Sequence, residues 1–191
     1  DCVALAVLGL LKDLDLVVSG INPNANVGHD VTYSGTVTAA MEAVIWGIPG
    51  LAVSLDSGGN HLGQLDYDPA ARIARQVAET LLRGEVPPQV VFNLNVPELP
   101  EDQITGIQVT RQGLRVYRDE LVTREDPRGV PYYWIGGDPP TGVPDQGTDI
   151  GIVKRAGGGK AGLQTSAQGN GAGRHGFGGQ EFGALLARMV D

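Results

Sequence analysis

Residues 15–55 read DLVVSGINPNANVGHDVTYSGTVTAAMEAVIWGIPGLAVSL, and the order of patterns within this stretch decides the fold. Asp15 to Gly20 is a short β-branched run without alternation, which suits a strand covered on both faces and predicts a central parallel strand. Ile21 to Tyr33 holds Asn22, Pro23, Asn24, Asn26, Gly28, His29 and Asp30, a density of turn formers that suits neither strand nor helix, and it is read as a long loop. From Ser34 onward Val37, Ala40, Met41, Val44 and Ile45 recur at helical spacing until Gly47 and Pro49 stop the run. Leu51 to Leu55 is a second buried strand. One strand, helix, strand crossover results, the unit from which open α/β sheets are assembled.

Working outward, Cys2 to Leu11 is apolar apart from Gly9 and predicts a buried helix with Asp1 as its N-cap. A second helix starts with Asp68 as N-cap and Pro69 at its first position, carries Ile73, Val77 and Leu81 on one face, and ends at Gly84. Val90 to Val96 is a further strand, stopped by Pro97. After Pro100 shorter β-like pieces follow, Gly106 to Arg111, Leu114 to Tyr117 and Val130 to Ile135, which gather Tyr117, Tyr132, Tyr133 and Trp134. Such aromatic hairpins pair subunits or pack as a satellite sheet. Residues 157–183 contain 11 of the 29 glycines and are read as a mobile linker, after which Phe182, Leu185, Leu186, Met189 and Val190 regain the spacing of a short amphipathic helix. The chain accordingly divides into an α/β core over 1–103, truncated at its N-terminus, a β-rich extension over 104–153 suited to oligomerisation, and a Gly-rich tail with a terminal helix over 154–191.

The 191 residues are 41% hydrophobic and 19% charged, enough for one full core. A formal charge of -8 opposes nonspecific attraction to nucleic acid polymers or anionic membranes, so neither is expected as a partner. No apolar run is long enough to span a bilayer, no secretory signal opens the chain, and Cys2, the single cysteine, is expected to be packed and reduced, as in the cytoplasm. The chain starts at Asp1 without a methionine, which suggests that upstream residues are missing.

Ligands of open α/β sheets bind beyond the carboxyl ends of the parallel strands, where the loop after Gly20 lies. Asn22, Asn24 and Asn26, together with a helix opening Ser34-Gly35-Thr36, bring amide, hydroxyl and free backbone N–H groups into one connection. A phosphate oxygen at Ser34, Gly35 or Thr36 would meet unpaired N–H groups and the positive end of the helix dipole. Two roles stay open for these residues, since Ser34 is equally a plain helix cap and Gly35 a plain packing position. The loop carries neither G-x-G-x-x-G nor a Walker lysine, so ATP binding is not indicated. Asn22 and Asn26 offer carbonyl oxygens to a hard cation, which ordinarily takes a carboxylate as well, with Asp30 and Asp56 nearby. By default the first is a solvated loop charge and the second a turn former. His29, His61 and His175 are too scattered for a zinc site.

Ser19-Gly20-Ile21-Asn22, then Ala25-Asn26-Val27-Gly28, then Tyr33-Ser34-Gly35-Thr36-Val37 with Ala39-Ala40-Met41-Glu42, resembles the SurE (survival protein E) family in order and spacing. Asp1-Cys2-Val3, Asn93-Leu94-Asn95-Val96-Pro97, Thr110-Arg111-Gln112-Gly113, Asp126-Pro127-Arg128-Gly129, Tyr132-Tyr133-Trp134 and Gly147-Thr148-Asp149 extend the resemblance over residues 1 to about 153. It implies a Rossmann-like three-layer α/β sandwich with a β-hairpin extension and a C-terminal helix. It also implies a phosphomonoesterase, a 5′-nucleotidase, hydrolysing nucleoside 5′- and 3′-monophosphates and, in some members, short polyphosphate. The enzyme would use one divalent cation per subunit, Mg2+ or Mn2+, and form a homodimer or homotetramer. Of the family's cation ligands only Asn22 maps here; the paired aspartates and the serine precede residue 1, and the catalytic residues are therefore unassigned. Asn26, Ser34, Gly35 and Thr36 map to the substrate phosphate.

Three departures accompany the resemblance. No adjacent aspartate pair occurs in the chain, Asn24 stands where the family usually has glycine, and a Gly-rich stretch replaces the strand expected beyond Val153. Taken alone, the 191 residues are expected to bind the cation weakly and to be inactive or crippled as an enzyme, because an amide oxygen cannot replace carboxylate charge. The competing reading is a non-catalytic oligomeric assembly or binding module. A nucleotide-sugar transferase shares the architecture but lacks a supporting motif here.

Overall fold

The computed structural model describes residues 1–58, 63–84, 89–153 and 159–167. Its centre is a five-stranded sheet built from β1 (Val17–Asn22), β2 (Gly50–Asp56), β3 (Val90–Pro97), β4 (Gly106–Thr110) and a strand late in the chain, Lys160–Ala167. Between β4 and that late strand the chain makes β5 (Arg115–Glu125) and β6 (Pro131–Gly142), so the late strand is β7. The sheet order is β1-β2-β3-β7-β4. The first three strands are parallel, with Leu51 opposite Phe92 and Ser54 opposite Asn95. β7 runs antiparallel to β3 and parallel to β4.

Helices cover both faces, which is why β2 and β3 are buried almost throughout. Besides the exposed α1 (Cys2–Leu5), these are α2 (Gly35–Ile45), α3 (Asp68–Arg83) and the short α4 (Asp149–Val153). The two-residue period of the strands sorts the core into two layers. Leu51, Val53, Leu55, Phe92 and Leu94 meet Ile73, Val77 and Leu81 of α3. Ala52 and Val91 on the other face meet Val37, Ala40 and Val44 of α2. Gly50 permits the second contact, because a Cβ there would lie 2.2 Å from the carbonyl oxygen of Ala40. The expected mixed α/β architecture, a sheet with a parallel half flanked by helices, is therefore observed.

Several local expectations need correction. Cys2–Leu5 is helical and continues as a π-helical turn over Ala6–Leu10, yet no residue of either is buried, and Leu5, Leu8 and Leu10 face solvent. Asp1 precedes this helix without a side-chain capping bond, and Cys2 is exposed rather than packed. Among the described residues β1 lies at the edge of the sheet rather than at its centre, paired with β2, and Val18 is 52% exposed. In α3 the capping position falls on Tyr67, which leaves Asp68 and Pro69 inside the first turn.

The largest difference lies in the Gly-rich stretch. Lys160–Ala167, read as linker, is a strand wedged between β3 and β4, with Ala161 and Leu163 buried. Backbone pairing on both edges, together with two apolar side chains two residues apart, outweighs the entropy that glycine adds. β4 likewise belongs to this sheet, while β5 and β6 form a separate antiparallel ribbon of 11 and 12 residues, longer than the short pieces expected. His61, His175 and the expected terminal helix from Phe182 to Val190 lie outside the described residues.

Candidate active site

The carboxyl ends of β1, β2 and β3 converge under the loop that follows β1. Asn26, buried in that loop, is held on all sides by polar side chains of the neighbouring strands. Its backbone N–H donates to Asn95 Oδ1 at 2.8 Å and its side-chain Nδ2 donates to Ser54 Oγ at 2.7 Å. Its carbonyl oxygen accepts from Asn93 Nδ2 at 2.8 Å and from Asn95 Nδ2 at 3.1 Å. Asn93 also donates to Gln164 Oε1 of β7 at 3.1 Å, so the strand missed in the sequence reaches the loop's foundation. The β3 face that is apolar at Val91 turns polar at Asn93 and Asn95, an alternation visible in the sequence but read there only as a core strand.

A second anchor is Asp149, only 2% exposed. Its Oδ2 accepts from Gly28 N at 2.8 Å, while Oδ1 accepts from Gly113 N and from Ile150 N, each at 2.7 Å. One carboxylate thus ties the loop after β1 to the segment entering β5 and to α4. Gly28 has φ +56°, and a Cβ there would sit 3.0 Å from Ile150 Cδ1, so the position suits glycine alone. Gln112 Nε2 closes the same junction by donating to Gly28 O at 2.8 Å.

From Gly28 the chain makes a 3-10 turn to Thr32 and enters α2. The Ser34 hydroxyl accepts from Val37 N at 3.4 Å, the capping geometry expected, and Ser34 N donates to Asp30 O at 2.6 Å. Asp30 joins the loop to β5: its carboxylate is paired with Arg115 at 3.0 Å and accepts the Tyr117 hydroxyl proton. The guanidinium Nε approaches off its N–H axis, so charge attraction rather than a directed hydrogen bond holds that pair. Burial and the bond to Asp30 push the Tyr117 hydroxyl up to about 12, so it stays protonated as a donor.

The structure brings the five residues singled out in the sequence to one cleft. Asn22, Asn26, Ser34, Gly35 and Thr36 line a cavity of about 640 Å³ together with Asp30, Tyr33 and Tyr117. A neighbouring cavity of about 590 Å³ shares Asn22, Asn26 and Asp30 and adds Asp56 and Arg115. Asn22 spends a side-chain N–H on Asn24 O at 2.6 Å, which leaves its amide oxygen for a ligand. Burial raises Asp56 to about 6, opposed by the Gly58 N–H and by the Arg115 charge and reinforced by Glu98. Chemically, the first cleft offers an anion the open end of α2, and the second offers a cation the Asn22 amide oxygen and the Asp56 carboxylate, Asp30 being already paired with Arg115.

The family model described as survival protein SurE matches residues 1–119. The chain belongs to the SurE family. A protein of Herpetosiphon aurantiacus named 5′-nucleotidase SurE is 51% identical over 154 residues, covering 80% of this chain and 60% of the relative. One of the same name from Chloroflexus aggregans gives the same identity and coverage. A crystal structure of the SurE protein from Aquifex aeolicus superposes with a TM-score of 0.68 at 31% identity, covering 100% of this chain and 72% of that one. The chain thus spans about 60% of the length of the curated SurE relatives it matches.

Proposed function

We propose that this chain is part of a divalent-cation-dependent phosphomonoesterase that hydrolyses nucleoside 5′- and 3′-monophosphates. The carrying observation is the joint placement of Asn22, Asn26 and the opening of α2 on one cleft at the carboxyl edge of the parallel strands, in a chain whose SurE relatives are named nucleotidases. In this reading the N–H groups of Gly35 and Thr36 and the hydroxyls of Ser34 and Thr36 bind the phosphate at the positive end of α2. Those donors are already oriented by the Ser34 cap and the Asp30 carbonyl, so they neutralise charge developing on the equatorial oxygens with little reorganisation. Asn26 shapes the pocket floor, since most of its polar atoms are committed to strand residues.

The cation, Mg2+ or Mn2+, would polarise the phosphoryl group and activate water when bound. The described residues do not complete a site for it. They contain no group of three His, Cys, Asp or Glu side chains able to hold a metal, and Asn22 with Asp56 supplies two ligand side chains where such ions take about six oxygens. No step is therefore assigned to the ion here.

The proposal extends to a homodimer or homotetramer, supported by the solvent-facing Leu121, Tyr133, Trp134 and Ile135 of the β5–β6 ribbon. Among the described helices none is long and apolar enough to cross a membrane. A cytoplasmic setting is part of the proposal, resting on a single exposed cysteine with no second cysteine to pair with.

The test is release of inorganic phosphate from adenosine 5′-monophosphate with manganese and with chelator. It is run on the chain alone and on a chimera carrying the Herpetosiphon relative's N-terminal segment ahead of Asp1. Chelator-sensitive release by the chimera, reduced at least tenfold by Asn22→Ala, is expected. A chimera without chelator-sensitive release, or one indifferent to Asn22→Ala, overturns the reading.

A further inference from the structure

Two tyrosines stand beside the phosphate end of the cleft without serving the core. Tyr33 is 85% exposed and directly precedes Ser34, so its Cα lies about 3.8 Å from that of the first anion-binding residue. Tyr117 reaches the same cleft from β5, with 39% of its surface open. A solvent-facing aromatic ring costs free energy unless something covers it, and these two rings flank a concave space in the size range of small-molecule sites.

We infer that Tyr33 and Tyr117 form a nucleobase subsite, in which an aromatic base stacks on their phenol faces while the attached phosphate sits at Ser34-Gly35-Thr36. The inference rests on the phosphate reading given above and adds the element that separates a nucleotide from other phosphate monoesters. Tyr117 is suited to the role because its ring cannot swing freely. Its hydroxyl is tied to Asp30, Asp30 is paired with Arg115, and Asp30 O in turn accepts from Tyr33 N at 3.0 Å and from Ser34 N at 2.6 Å. Ring platform and phosphate cradle therefore share one scaffold, and little side-chain freedom remains to be lost at Tyr117 on binding. Stacking accepts any base, because every base has a π-face, but purines cover more ring area. The expected order is thus purine monophosphate, then pyrimidine monophosphate, then ribose 5-phosphate, which has no base.

Calorimetric titration of adenosine 5′-monophosphate and ribose 5-phosphate against the protein, each with manganese, tests this. The wild type should bind the nucleotide about tenfold or more tightly than the base-free ligand. Tyr33→Leu combined with Tyr117→Leu should abolish that difference, weakening the nucleotide about tenfold more than ribose 5-phosphate. Tyr33→Phe, which keeps the exposed ring, should retain most of it. Thermal melts confirm folding of each variant, and the exposed Tyr33→Leu alone serves if the double variant fails to fold. Equal affinity for both ligands in the wild type, or a double-Leu variant that weakens them equally, overturns the subsite while the phosphate reading stands. If neither ligand binds the wild type, the phosphate reading has failed and the subsite falls with it.

Discussion

A carboxylate shut away from water and given three backbone N–H donors, as Asp149 is, cannot be neutralised without leaving a donor unmet. Asp149→Asn preserves shape but turns an NH2 group toward one of those N–H groups. The expected loss is about 2–3 kcal/mol of stability, read as a lower urea midpoint at unchanged slope. A loss below about 0.5 kcal/mol would show that water replaces the carboxylate. Asp56 behaves in the opposite sense. Its folded value of about 6 lies above the ordinary 3.8, so between those values the native state holds a proton that the unfolded chain has released. Stability from this group is therefore full below about pH 4, falls as pH rises, and is lost above about pH 6. Asp56→Asn should be more stable than wild type near pH 7.5, by at most about 3 kcal/mol, with the gap closing near pH 4. Urea unfolding at three pH values measures it, and a gap that widens toward acid contradicts the sign.

These single-residue roles were only partly legible in the sequence. Asn22, Asn26 and Ser34 announce themselves as polar groups between a strand and a helix. Asp149 does not, because its partners Gly28 and Gly113 lie 121 and 36 residues away and offer backbone N–H groups that carry no side-chain signature. Local sequence makes Asp30 a solvated loop charge, yet Arg115 and Tyr117 enclose it from a ribbon whose path no local pattern reveals.

Among elements, α2 links the two functions of cap and cradle, and one substitution separates them. Ser34→Asp keeps an N-cap acceptor, so the melting temperature should stay within about 2 °C of wild type, since the replacement is as good a cap. A negative charge at the helix opening should nevertheless weaken phosphate-ester binding at least tenfold in titration. Ser34→Ala makes the contrast, losing about 1 kcal/mol of stability with the cap. If Ser34→Asp binds the ester as well as wild type, the anion site is not there. The helices and strands from β1 to β3 were readable because each carries its own periodicity and stop signals. The exposed α1 and the edge position of β1 were not, since an apolar run states that a face prefers cover without stating what covers it. β7 is hard to read in the sequence because its two inward apolar residues, Ala161 and Leu163, stand in a glycine-rich stretch.

At the scale of the whole molecule, the β5–β6 ribbon presents an exposed apolar surface suited to a partner. Ile135 is 80% exposed, and Leu121 and Trp134 are open beside it. Trp134→Ser with Ile135→Ser should shift the mass measured by light scattering from a dimer or tetramer toward the monomer, while far-UV circular dichroism is unchanged. An assembly of unaltered mass would place the contact elsewhere. The net charge of -8 acts on the same scale, opposing nonspecific collection of polyanions.

The insertion of β7 between β3 and β4 bears on how a ribosome delivers this protein. Asn93 and Gln164, which meet across that seam, are 71 residues apart, so β3 emerges and folds against β2 while its other edge has no mate. During that interval the nascent polypeptide displays an unpaired hydrogen-bonding margin, the kind of template on which chains aggregate. Synthesis speed and chaperone capture, rather than final stability alone, then govern how much of the protein a cell recovers.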